Sequence, residues 1–171
     1  MYRRNMIALY ALALCAGTLT TSGAIAQQKS LKEQLVGNWT FVSGVDINKD
    51  GTKTDRWGPN PKGLLMLDRS GRFSFMISKA TLPKFASNNV NQGTAEENKA
   101  VVQGIIAYFG TRAVDEASKT LTTNIEAGSF PNLNGGSQKR TITSLTADEL
   151  KYHNPATTIG TSTDVVWRRA K

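Results

Sequence analysis

From Trp39 onward the chain keeps a period of two. Trp39, Phe41, Ser43, Val45 and Ile47 fall on one face, with Thr40, Val42, Gly44 and Asp46 on the other. That is the pattern of a strand with one buried side. The alternation returns at Arg72–Lys79, where Phe73, Phe75 and Ile77 share a face, and at Lys119–Gly128, where Leu121, Thr123, Ile125 and Ala127 do. Turn clusters separate the runs: Asn48-Lys-Asp50-Gly51, Asp68-Arg-Ser70-Gly71, Asp115-Glu-Ala-Ser118 and Thr146-Ala-Asp148. Trp57-Gly-Pro59-Asn-Pro61-Lys-Gly63 excludes regular structure, because its prolines lack amide donors and its glycines open unusual dihedrals. Strands are expected near residues 38–47, 63–68, 72–79, 105–114, 119–128, 138–145, 149–153 and 161–169.

Helical signals are few. Ser30 precedes a short turn, Leu31–Leu35, which Gly37 stops. Thr94-Ala-Glu-Glu97 is a capping box, and the helix it starts runs to about Gln103. Eight short strands, tight turns and one short mid-chain helix make an all-β chain, an antiparallel barrel or sandwich. Eight strands also close a barrel whose interior holds one small ligand.

The first residues address the chain elsewhere. Arg3-Arg4, an apolar run from Met6 to about Gly17, and Ala24-Ile25-Ala26 read as a secretory signal cut after Ala26. The apolar run is too short to span a bilayer, so no stable membrane insertion is expected after cleavage. Leu14 before Cys15 does not suit a lipoprotein cut. The expected organisation is a signal peptide at 1–26, an N-terminal segment with a helical turn at 27–36, and a β-domain at 37–171, delivered to the periplasm or secreted. Cleavage lowers the formal charge from +8 to +6 and removes the single cysteine. The mature chain therefore has no disulfide and no thiol nucleophile, and about 145 residues must be held by their core.

Several chemistries find no support. His153 is the one histidine, and with no cysteine left a zinc site lacks ligands. Ser129, Ser137 and Ser144 have no nucleophile-elbow context. Glu96 and Glu97 are adjacent and point apart on a helix, and capping explains Glu97. Gly135-Gly136 opens no helix, so no phosphate loop is read there. The basic residues are scattered, which argues against nucleic acid. No metal and no cofactor are expected. Among polar residues on expected strands, Tyr108, Arg112, Asn124 and Arg140 stand out, and some of them must face inward. A buried Arg is costly unless it meets an acid or an anionic ligand.

Leu35-Val36-Gly37-Asn38-Trp39, the stretch Trp57–Leu65, and Asp68-Arg-Ser-Gly71 resemble the lipocalin-like domain of many bacterial and fungal proteins. Thr94-Ala-Glu-Glu97 leading to Tyr108-Phe-Gly110, then Phe130-Pro131-Asn132, and Val165-Val-Trp167-Arg168-Arg169 continue the resemblance in order, over roughly residues 34–170. It implies an eight-stranded antiparallel barrel. It also implies closure by Gly37, Trp39, Trp167 and Arg169, with Trp39 as a plug and Arg169, or else Arg168, packed across its indole. One departure concerns a His that many members carry before the Phe-Pro-Asn loop, where this chain has Thr122-Thr123-Asn124.

The expected function is an exported barrel that binds a small, largely apolar or amphipathic ligand, acidic if an inward Arg must be paired. Phe41, Met66, Phe75 and Ile77 are the expected apolar lining, and Tyr108, Arg112, Asn124 and Arg140 the polar contacts. Two alternatives stay open. One is an isomerase or cyclase that works by positioning a metabolite in the cavity. The other is a structural or interaction barrel filled by its own side chains.

Overall fold

Consecutive strands pair with one another until the last meets the first. The computed structural model describes residues 29–171, and the expected signal segment lies outside the described residues. A short helix, α1 (Leu31–Leu35), leads into β1 (Gly37–Ile47), β2 (Lys53–Thr54), β3 (Lys62–Leu67) and β4 (Arg72–Ser78). Helix α2 (Ala95–Gly104) precedes β5 (Ile105–Asp115), β6 (Thr120–Gly128), β7 (Ser137–Leu145), β8 (Glu149–Asn154) and β9 (Ser162–Arg169). Neighbours are antiparallel in the order β1-β3-β4-β5-β6-β7-β8-β9, and β9 pairs back onto β1. The result is a closed eight-stranded barrel. The two-residue β2, not expected from sequence, adds only a short ribbon on the end of β1.

Both helices begin where their capping boxes place them. Ser30 Oγ accepts from the Glu33 amide at 3.2 Å while Glu33 reaches back to Ser30 N at 2.9 Å. Thr94 and Glu97 repeat the arrangement at 3.1 and 2.8 Å. The second Glu97 oxygen holds the Ala86 amide at 2.8 Å, which ties the loop before α2 to its first turn.

The alternation along β1 departs from the simple reading. Trp39 and Phe41 point inward, but the β1–β9 register shifts between Phe41 and Ser43. This bulge adds one residue on β1 and reverses the faces beyond it. Val45 and Ile47, expected inside, are thereby displaced, and Gly44 and Asp46 are the buried residues instead. Gly44 packs closely there: a Cβ would lie 3.1 Å from the Phe41 ring tip and 3.4 Å from the Trp57 indole, so the Phe41 ring would have to yield slightly.

Met66 is a second correction. Its strand reads Leu64-Leu-Met-Leu67, apolar on both sides, so periodicity does not choose a face. The hairpin register does: Leu65 pairs with Phe75 and Leu67 with Phe73, and these four line the interior. Met66 is outside, 43% exposed.

The barrel's middle is packed with aromatic rings. Trp167 meets Phe41 and Phe75 edge to face, at centroid distances of 5.1 and 5.6 Å. Phe75 also stacks on Tyr108 at 4.5 Å. These contacts fill the space between opposite walls and divide the interior into a sealed end and an open end.

Trp39 seals the first. It is fully buried, and its Nε1 donates to the Leu35 carbonyl at 2.9 Å. The Arg169 guanidinium lies 4.0 Å from the indole centroid. It donates to the carbonyls of Gln34 at 2.8 Å, Val36 at 3.0 Å and, through Nε, Ala147. Gly37 has φ +136°, and any Cβ there would lie 2.7 Å from Arg169 Nη1. The glycine of the Gly-x-Trp stretch thus makes room for the arginine.

Candidate functional site

At the open end the strands bring polar side chains together over the aromatic floor. The late part of β1 supplies Asp46, and the loop after β2 supplies Arg56 and Trp57. Tyr108 comes from β5, Gln138 and Arg140 from β7, and Tyr152 and Asn154 from β8. Phe75, Ile77, Ile106 and Val165 complete an apolar wall. The cup has a volume of about 40 Å³. That is room for roughly three waters or one small polar group, far below the ~300 Å³ at which ordinary small-molecule pockets begin.

Arg140 is the dominant charge. It is 3% exposed, and its guanidinium stays protonated at any physiological pH. Nη1 donates to Thr123 Oγ1 at 2.6 Å, and Nη2 donates to the Tyr108 hydroxyl and to Gln138 Oε1, both at 2.7 Å. Phe75 and Tyr152 flank it, with ring centroids 5.9 and 5.6 Å away. Among the described residues no carboxylate forms an ion pair with it. Its partners are neutral. Burial pushes the Tyr108 hydroxyl up to about 12, against the opposing pull of Arg140. Burial likewise raises Tyr152, with Arg140 opposing. Both phenols are therefore neutral near pH 7.

Asp46 and Arg56 face each other across the other side of the cup. Asp46 is 1% exposed, and Arg56 Nε stands 3.5 Å from Asp46 Oδ2. This is an ion pair without hydrogen-bond geometry, and both atoms are buried with no protein hydrogen-bond partner. Burial raises the Asp46 carboxyl above its ordinary range, and Arg56 and Thr163 only partly oppose it. Arg56 rests on Trp57, 4.5 Å from its ring centroid.

The residues expected from sequence divide between several places. Tyr108, Arg140, Phe75 and Ile77 line the cup. Phe41 lies below it, against Trp57 and Trp167. Met66 and Asn124 are on the outer face, and Asn124 points away because Thr123 and Ile125 on either side point in. Arg112 is buried at the sealed end, where Nη2 donates to the Asp68 carbonyl at 2.7 Å. The resemblance's missing histidine falls on a stretch whose inward residue, Thr123, holds Arg140. His153 lies near the surface, with Nδ1 2.8 Å from Asp164 Oδ1.

Sequence reasoning missed Asp46, Arg56, Tyr152 and Asn154. A glycine inside a strand signals a bulge, so Gly44 was the available clue to Asp46. Tyr152 alternates with the apolar Leu150, which marks it as inward. Nothing local marks Arg56, since its position depends on a loop.

A sequence profile of the lipocalin-like domain family matches residues 36–170. No curated protein matches the sequence significantly. Among solved structures, a redesigned β-barrel is 14% identical with a TM-score of 0.43, covering 84% of this chain and 100% of that one. A lipocalin-like protein from Bacteroides uniformis is 14% identical with a TM-score of 0.40, covering 80% and 99%. Bovine odorant binding protein, in complex with a selenium-containing odorant, is 17% identical with a TM-score of 0.43, covering 84% and 74%. Likenesses this distant say nothing of what the present chain binds. The family profile is another matter. It runs from the residue before β1 to the residue after β9, across the whole closed barrel, and the chain belongs to the lipocalin-like domain family.

Proposed function

We propose that this protein is an exported binder of a small amphipathic ligand, taken head-first at the open end of the barrel, with an acidic group against Arg140. The carrying observation is Arg140 itself, a buried guanidinium held by two hydroxyls and an amide with no carboxylate in reach. Burying an arginine without a counter-ion costs several kcal/mol. An anionic ligand would offset that cost, while Tyr108 and Tyr152 beside the guanidinium would orient it. Trp57, Ile77, Ile106 and Val165 offer apolar contact to the rest of the molecule. The aromatic floor leaves no room for a long chain inside, so any larger body would sit at the mouth, beside Arg56 and the Thr157-Thr158 loop.

The experiment is a titration of the mature protein with short-chain carboxylates, followed by NMR shifts of the Tyr108 and Tyr152 rings, with Arg140→Met as control. Saturable binding that disappears in the variant supports the reading. Equal shifts in both proteins would refute it. Export is tested by the N-terminus of protein recovered from the cell envelope or medium, which should begin at Gln27.

A second reading, the self-filled structural barrel, is favoured by the small cup volume of about 40 Å³. It predicts no saturable ligand of any kind.

A further inference from the structure

Two charged groups, not one, are left wanting at the cup. Arg140 lacks an anionic partner among the described residues. Asp46 has the opposite need: its Oδ2 is a buried acceptor with no donor from the protein. The nearest cation, Arg56, is 3.5 Å away through an Nε that is itself unpartnered, and its guanidinium lies over Trp57. Asp46 is inside only because the bulge after Phe41 turns its side of β1 inward. Without that bulge Val45 and Ile47 would face the interior. The fold therefore places an acceptor and a donor set around one cup too small for most ligands.

On the footing of the reading above, we infer that the cup selects a short carboxylic acid that also bears a hydrogen-bond donor, a hydroxy or amino acid, with Arg140 taking the carboxylate and Asp46 the donor. A plain fatty acid satisfies Arg140 alone and leaves Asp46 Oδ2 desolvated. A hydroxyl or ammonium group satisfies both, and losing one hydrogen bond to a charged group weakens binding by roughly tenfold or more. The size also fits, because two or three carbons with their polar groups occupy about the space of a few waters.

The test compares acetate, glycolate and glycine by NMR titration of the mature protein at fixed ionic strength. Glycolate and glycine should bind at least about tenfold more tightly than acetate. Asp46→Leu should remove that preference, so that glycolate and glycine bind no more tightly than acetate. Asp46→Asn, which keeps an acceptor but no charge, guards against misfolding of the leucine variant: it should keep the advantage of glycolate and lose that of glycine. If acetate and glycolate bind equally in the unmodified protein and Arg140→Met abolishes both, the inference is overturned while the acid-binding reading stands. If none of the three binds, the reading falls and takes the inference with it.

Discussion

The two ends of the barrel each set an arginine against aromatic rings, and they treat it in opposite ways. At the sealed end Arg169 has three backbone carbonyls for its N–H groups and the Trp39 indole beneath it. At the open end Arg140 has only side-chain oxygens, and the neighbouring Asp46 and Arg56 are left incompletely bonded. The carboxylates follow suit. Asp68, in the turn beside the sealed end, is held below its ordinary range by the Arg72 amide, whereas burial lifts Asp46 at the open end. The sealed end is the better bonded of the two, although Arg112 Nε is buried there without a hydrogen-bond partner, and the open end carries the unmet polar demand of both Asp46 and Arg56.

The comparison can be broken or sharpened by measurement. The largest effect should come from Trp39→Ala, which truncates a fully buried indole and should cost about 3–5 kcal/mol in chemical denaturation. A small loss would remove Trp39 from its place as the plug. Arg169→Met should follow, at about 2–3 kcal/mol, through lost charge-assisted bonds and the indole contact. A change near zero there would mean that the sealed end is no better bonded than the open one.

Asp46→Asn should act in the other direction, raising the stability of unliganded protein at pH 7. The sign follows from linkage. With its folded pKa raised, native Asp46 binds a proton more readily than the unfolded chain, so stability falls as pH rises from the ordinary 3.8 through the raised value. The variant should lose that descent in a pH series of melting curves. Asp68→Asn should do the reverse, removing stability that is present above 3.8 and lost as pH falls through the lowered value. The smallest stability change should belong to Arg140→Met, within about 1 kcal/mol of the unmodified protein by calorimetry, because relief of a buried charge offsets three lost hydrogen bonds. A loss as large as that of Arg169→Met would make Arg140 a structural arginine and erase the distinction between the ends.

Much of the sealed end is legible in the amino-acid order, because its determinants are local. The capping boxes at Ser30 and Thr94, the Gly37-Asn38-Trp39 stretch and the Asp68–Gly71 turn each declare themselves within a few residues. The open end depends on pairing across the sheet. The bulge that brings Asp46 in is a relation between β1 and β9, strands more than a hundred residues apart in sequence. The outward face of Met66 is set by hairpin register, and counting back from the Asp68–Gly71 turn to Phe73 and Phe75 would have found it. Asn124 was legible too, since the inward run Leu121-Thr123-Ile125 assigns it to the other side. The tightness of the cup was not legible, because no periodicity reports how far opposing rings reach across a barrel.

The plug end has a consequence for how the molecule is presented to its surroundings. The Glu116 carboxylate, in the turn between β5 and β6, clamps the amides of Leu31 and Lys32, both at 2.9 Å. The Ala170 amide is fastened to the Asn38 carbonyl at 2.8 Å. Both ends of the described chain therefore depart from the same pole. A fusion partner, an affinity tag or a surface linker joined at either one trails behind the molecule and leaves the mouth turned toward solution.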